Sequence, residues 1–329
     1  MIALSRALCV CLLATLGATT ATAATRTTAT TTPVTGTIDP LSGILKLSAP
    51  LSLSWPSING IPVRTPKGTK SYGATLVVNG QTRRYIVIRP DPLPVSAPML
   101  LVLHPLNTRA EITANFTFVA DHVATQGFWA VLPEAQNGAW KNEASMGDAD
   151  MKFLAALIDT LVPRGVDRER VSVAGYSSGG VMAERMVCQM PERIAAIGVV
   201  AATLPYSLWT SCAPSVQRPK VYVLGTADPI TPYYGYNGQG SAAALMNYWA
   251  QKQACTGAVS TPVPDIANDS TRVQLDERTG CAGGKGLRLY TVENGGHAWP
   301  GGTTDSAGTT SRDMAATGAI WSFVRAYRR

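Results

Sequence analysis

From Ala74 to the C-terminus, short β-branched runs alternate with amphipathic stretches of helical length, and this alternation narrows the fold more than any other feature. "PMLLVLHP" and "GFWAVLPE" are continuous apolar runs, the pattern of strands buried on two faces. "DADMKFLAALIDTLVP" puts Phe153, Leu154, Leu157, Ile158 and Leu161 on one stripe, started by Asp148 or Asp150 and stopped by Pro163. The pattern then repeats. "RVSVAG", "IAAIGVVAA", "KVYVLGT" and "LRLYTVE" read as strands; "GGVMAERMVCQM", "SAAALMNYWAQKQ" and "DMAATGAIWSFVRAYRR" read as helices. Strand–helix units of this length predict an α/β chain with a mostly parallel central sheet and helices on both faces. Ahead of them, "ATLVVNGQTRRYIVIRP" places two alternating runs about Asn79-Gly80, a hairpin signal. In such sheets reactive residues gather at the carboxyl ends of strands.

The first residues read differently. "MIALSRALCVCLLATLGATTATA" carries one cation, Arg6, an apolar stretch and a small-residue exit, so residues 1–23 are expected to be a secretory signal peptide. Its apolar core is too short to span a bilayer, which takes about 20 residues. Residues 24–45 begin as low-complexity Thr and read as a flexible leader, and 46–329 as one catalytic domain; the span 38–72 has no clear pattern. The formal charge of +7 becomes +6 without Arg6, and the cations are scattered, which argues against nucleic acid as a partner. The expected location is outside the cytoplasm, secreted or periplasmic.

Export bears on the cysteines. Setting aside Cys9 and Cys11, four remain: Cys188, Cys212, Cys255 and Cys281. An even number in an oxidising compartment predicts two disulfides, with three connectivities open. Sequential pairing is expected, because each pair then brackets one strand–loop unit. Each closed loop is worth about 3–4 kcal/mol in the chain-entropy picture. With no C-x-x-C pair and three histidines, a metal site is a poor fit.

Gly175-Tyr176-Ser177-Ser178-Gly179 is a G-x-S-x-G pentapeptide set between a strand and a helix. A strand that turns at once into a helix strains its apex, and side chains two positions either side would strike the neighbouring elements. The apex is Ser177, the expected nucleophile. Ser178 would supply a backbone N–H to a developing oxyanion. A serine needs a base, and the choices are His104, His122 and His297. His122 sits in a helical stretch and reads as structural. The order Ser…Asp…His favours His297, on a glycine-flanked loop beyond the last strand. Asp228, directly after "KVYVLG", is the expected acid, with Glu293 and Asp276 as rivals. A second oxyanion N–H is expected from the loop after "LLVLH"; Pro105 has none, so Leu106 is chosen, and His104 is expected to pin this loop.

With these residues in place, the chain resembles the α/β-hydrolase family of secreted polyhydroxybutyrate depolymerases, feruloyl esterases and related carbohydrate esterases. The resemblance runs from about Ala74 onward and rests on "LHPLN", "GYSSGG", "LGTADPITPYYG" and, most specifically, "GGHAWPGG" with the following Trp helix. It implies an α/β-hydrolase fold, a Ser177–Asp228–His297 triad, oxyanion donors at Leu106 and Ser178, and ester hydrolysis through an acyl-enzyme without metal or organic cofactor. The chain departs from the family at His104-Pro105, where His-Gly is usual. Hydroxyalkanoate polymer or oligomers are the first substrate expectation; feruloyl or acetyl carbohydrate esters are the second, and an inactive binding protein on the same fold the third. Tyr176, Trp140 and Trp299 are expected to contact the substrate, with Tyr233, Tyr234 and Tyr236 beside the acid loop.

Overall fold

The computed structural model describes residues 61–212, 214–236, 238–303 and 307–329, together with the backbone of two short strands, β1 (Thr37–Ile38) and β2 (Leu45–Lys46). The chain divides into two units, Met1–Leu51 and Ser52–Arg329. In the first, β1 and β2 pair antiparallel. The expected signal peptide and Thr-rich leader otherwise lie outside the described residues.

The second unit holds a ten-stranded sheet. Its strands are β3 (Thr69–Val78), β4 (Gln81–Pro90), β5 (Ala97–Leu103), β6 (Trp129–Pro133), β7 (Val166–Tyr176), β8 (Ile197–Val200), β9 (Lys220–Gly225), β10 (Gly257–Pro262), β11 (Arg272–Thr279) and β12 (Leu287–Glu293), in the order β10-β11-β12-β9-β8-β7-β5-β6-β4-β3. The run from β12 to β6 is parallel; the outer strands are antiparallel. Asn79 and Gly80 both take positive φ, 52° and 75°, the pair of values a two-residue type I′ hairpin needs. The strand before them starts at Thr69, five residues earlier than the alternation suggested.

Seven helices cover the sheet among the described residues: α1 (Ala110–Phe116), α2 (Val119–Gln126), α3 (Ala149–Leu161), α4 (Ser178–Gln189), α5 (Tyr206–Ser211), α6 (Ala242–Lys252) and α7 (Ala316–Val324). Alternate residues of the parallel strands feed two separate cores. Leu101, Leu103 and Val173 pack with Phe153, Leu157, Met182, Met186 and Trp249 from α3, α4 and α6. Leu100, Val102 and Ala174 pack with Val119, Val123, Ile320 and Trp321 from α2 and α7. This two-sided burial is why these strands read as unbroken apolar runs.

Two expectations need correction. Asp148 precedes α3, but its side chain makes no capping bond; its carboxylate pairs with Arg185 at 2.7 Å, while Asp150 pairs with Arg83 at 2.6 Å. The last helix starts at Ala316 and not near Asp313, because the Asp313 carboxylate accepts from the Ile266 and Ala267 N–H groups and keeps that stretch in a loop.

Both disulfides join as expected, Cys188 to Cys212 and Cys255 to Cys281. The first ties the end of α4 to the end of α5. Among the described residues no helix is long and apolar enough to cross a membrane.

Candidate active site

The chain runs from β5 outward to β6, then returns to the other side of β5 for β7 and continues outward through β8, β9 and β12. The strand order reverses between β5 and β7, and the carboxyl ends of strands at such a reversal are where open α/β sheets bind ligands. The loop after β5 carries Leu106, the turn after β7 carries Ser177, the loop after β9 carries Asp228, and the loop after β12 carries His297.

Ser177 has φ 53° and ψ −121°, a backbone conformation that L-residues avoid at a cost of order 1–3 kcal/mol. Its N–H bonds the Val200 carbonyl at 2.9 Å, and its carbonyl accepts from Gly180 and Val181. The glycines make the turn possible. A Cβ on Gly175 would lie 2.1 Å from the Gly179 carbonyl oxygen, and one on Gly179 would lie 2.3 Å from the Leu103 oxygen. No side chain fits at either place, so α4 starts pressed against the ends of β5 and β7. Ser178 is the first residue of α4, where the N–H has no partner within the helix.

His297 and Asp228 meet at 2.8 Å through Nδ1 and Oδ2, both side chains almost wholly buried. The other carboxylate oxygen accepts from the Ile230 N–H at 2.8 Å and the Thr231 N–H at 2.7 Å. Those two bonds fix the plane of the carboxylate. The histidine loop is held from both sides. His297 N–H donates to the Ala307 carbonyl at 2.6 Å, and a Cβ on Gly225, at the end of β9, would lie 2.2 Å from the Gly295 oxygen. Tyr176, next to Ser177, donates its hydroxyl to the His297 carbonyl at 2.7 Å and stacks its ring on the imidazole with centroids 5.3 Å apart. Asp228 and His297 are thus in contact, and the residue that precedes Ser177 lies against the same imidazole.

Of the rivals, Glu293 is exposed at the last residue of β12, and Asp276 lies on β11 with its carboxylate bonded to the Ser260 hydroxyl. His122 is half-buried in α2, its ring against Gly318 of α7. His104 is fully buried. Its Nδ1–H donates to the Pro105 carbonyl at 2.7 Å, and its Nε2 accepts from the Ala135 N–H at 3.0 Å, an arrangement only the neutral ring can make. Burial lowers its pKa, partly countered by the Pro105 carbonyl. Sequence reasoning gave His104 this pinning role. Leu106 follows directly, its side chain exposed, and its N–H makes no backbone bond among the described residues.

The three expected substrate contacts are corrected. Tyr176, Trp140 and Trp299 are all buried, with their polar atoms committed: Trp140 Nε1 donates to the His104 carbonyl at 2.9 Å and Trp299 Nε1 to Thr317 Oγ1 at 3.0 Å. They pack beneath the site, because an indole or phenol that finds both an apolar bed and a hydrogen-bond partner is better satisfied inside than in a wet cleft. The exposed aromatics are instead Tyr234 and Tyr236 beside the acid loop, with Ile230, and Tyr206 at the start of α5. The loops bearing them meet at the Pro205–Gln239 bridge, and the Tyr236–Gln239 bridge closes the second loop on itself. Tyr206 was missed because α5 is too short to show periodicity.

No family model matches the chain. It is 28% identical over 255 residues, 69% of its length and 74% of the relative's, to the candidate esterase NocK of Nocardia uniformis subsp. tsuyamanensis. Feruloyl esterase B of Piromyces equi is 27% identical over 62% of the chain and 40% of that protein, and feruloyl esterase D of Neurospora crassa is 24% identical over 68% and 76%. Among solved structures, acetyl xylan esterase from Aspergillus awamori superposes with a TM-score of 0.53 at 14% identity, covering 69% of this chain and 94% of that one. The chain has the α/β-hydrolase fold and is a carboxylic ester hydrolase. As an esterase it needs a nucleophile, a base and a place for the oxyanion, and the four loops described above are where such an enzyme would carry them.

Proposed function

We propose that this esterase works through Ser177, His297 and Asp228, with the N–H groups of Leu106 and Ser178 as the oxyanion hole. The buried 2.8 Å contact between His297 and Asp228 beside the strained Ser177 turn carries the reading. Asp228 holds the proton on His297 Nδ1, which leaves Nε2 able to take the Ser177 hydroxyl proton as the oxygen attacks the ester carbonyl. The protonated ring then passes that proton to the leaving alcohol. Water, deprotonated by the same nitrogen, releases the acid from Ser177. No step calls for a metal or an organic cofactor.

For the substrate, esters of plant-cell-wall carbohydrates, feruloyl or acetyl, take first place, because relatives with those names recur. Hydroxyalkanoate oligomers, the sequence-level favourite, stay as the second reading, supported by the exposed Tyr206, Ile230, Tyr234 and Tyr236. Such a surface suits neutral, apolar or aromatic groups better than anions. The catalytic unit, residues 46–329, would be exported behind the 1–23 leader, which the two disulfides fit. The test compares kcat/KM for methyl ferulate, an acetylated xylo-oligosaccharide and hydroxybutyrate oligomers, with Ser177→Ala as control. A tenfold preference for the hydroxybutyrate oligomers would reverse the ranking. Retention of activity in Ser177→Ala would refute the nucleophile assignment.

A further inference from the structure

One segment, residues 135–148, touches both arms of the proposed oxyanion hole. On the β5 side it makes three bonds to residues 104–107: Ala135 N–H to His104 Nε2, Trp140 Nε1 to the His104 carbonyl, and Asn107 N–H to the Gly138 carbonyl at 2.9 Å. On the α4 side, Asn142 Nδ2 lies 3.3 Å from Ser178 Oγ and 3.4 Å from the Ser178 carbonyl.

Beside the Lys141 N–H bond to the buried Asp150 carboxylate at 2.7 Å, what gathers residues 141–148 is Arg185. Its side chain is fully buried within α4, two turns beyond the nucleophile, while most of residues 141–148 are exposed around it. The guanidinium donates to the carbonyls of Lys141 (2.5 Å), Glu143 (3.0 Å) and Gly147 (3.0 Å), to the Asp148 carboxylate (2.7 Å) and to Gln189 Oε1 (3.0 Å). An exposed loop folds around one planar cation because a guanidinium offers five donors in a fixed fork, which an ammonium cannot imitate.

We infer that Arg185 is a positioning residue for the reaction: by fixing the 141–148 loop to the nucleophile helix, it sets Asn142 against Ser178 and so holds the two oxyanion N–H groups at their working separation. Preorganised donors matter because they are aimed before charge develops; losing one outright costs about 10²–10³ in kcat. A donor pair merely loosened should lose less, about tenfold. The inference rests on the proposed triad and oxyanion hole.

The test uses Arg185→Lys, which keeps the charge but not the fork, and Asn142→Ala, which leaves the buried clamp intact. Readouts are kcat and KM for p-nitrophenyl butyrate, and the Ki of phenylboronic acid, whose tetrahedral serine adduct mimics the transition state. Arg185→Lys is expected to lose about tenfold in kcat, and Asn142→Ala about threefold to tenfold, with KM within twofold and the boronate Ki raised in step. A kcat within twofold of wild type in both variants, even with a lowered Tm, makes the clamp structural and overturns the inference. A rise in KM alone also overturns it. If Arg185→Lys fails to fold, Asn142→Ala decides. A fluorophosphonate that fails to label Ser177 in the wild-type protein would sink the underlying triad reading instead, and this inference with it.

Discussion

Replacing Asp228 by Asn tests the proposed triad through geometry alone. Oδ1 of Asp228 accepts two backbone N–H groups, from Ile230 and Thr231, and Oδ2 faces His297 Nδ1. In Asp228→Asn the amide oxygen must stay where Oδ1 was, since an NH2 there would face two donors. The NH2 then points at Nδ1, which has to accept. The ring proton moves to Nε2, the nitrogen that must be bare to receive the Ser177 proton. A wrong tautomer of this kind costs about 10⁴ in kcat, or roughly 5.4 kcal/mol at 1.36 kcal/mol per decade. Every backbone hydrogen bond survives, so the Tm should move by less than about 4 °C, the shift that about 1 kcal/mol produces in a domain of this size. Asp228→Ala serves as the contrast: it strands the two N–H groups, at about 1–3 kcal/mol each, and should lose stability as well as rate. The assay is turnover of p-nitrophenyl butyrate at pH 7 with thermal melts alongside. A kcat for Asp228→Asn within tenfold of wild type would mean that Asp228 does not set the tautomer, and the acid would have to be sought elsewhere.

Lys220 on β9 and Glu184 on α4 form a fully buried pair at 3.2 Å, with the ammonium 3.9 Å from the centre of the Trp249 ring and the Tyr222 hydroxyl on the same carboxylate. Burial lowers the Lys220 pKa against the pull of Glu184. Lys220→Met leaves Glu184 buried without its cation and should cost about 3–5 kcal/mol in urea unfolding, much of it recovered in a Lys220→Met/Glu184→Leu double variant; equal losses in both would refute this account. His104 titrates less readily folded than unfolded, because burial lowers its pKa from the ordinary 6.5. The unfolded chain therefore binds the proton first, and stability is lost as pH falls below about 6.5, with a slope of at most about 1.4 kcal/mol per pH unit for this one group. His122 is shifted the same way, so the His104 share is read as the part of the slope that disappears in His104→Gln; an unchanged slope would exclude it.

How far the chain declares this arrangement depends on which forces act on each residue. The parallel strands announce themselves because both faces of β5, of β9 and of the second half of β7 are buried, so that few polar positions break the apolar run. The edge strand β10 and its neighbour β11 do not. β10 is exposed along nearly its whole length, and its partners across the ladder include Glu277 and Asp276, so neither hydrophobicity nor alternation marks it. The site divides on the same line. The proposed Ser177, Asp228 and His297 are legible because their neighbours are constrained by backbone contact: Gly175, Gly179, Gly225 and Gly296 each stand where a Cβ would strike another main chain. The aromatics were misjudged because sequence adjacency to Ser177 or His297 says nothing about direction. Tyr176 and Trp299 follow the strand and loop inward, and their rings meet Phe116 edge-on at 5.8 and 6.2 Å. Arg185 shows the limit most plainly. In the string "AERMV" it looks like an ordinary solvent-facing cation of an amphipathic helix. Only the fold shows that the loop from Lys141 to Asp148, more than thirty-five residues away in sequence, closes around it. A charge placed in the interior by distant carbonyls leaves no local trace, and for that reason the part of the site it governs had to come from the structure.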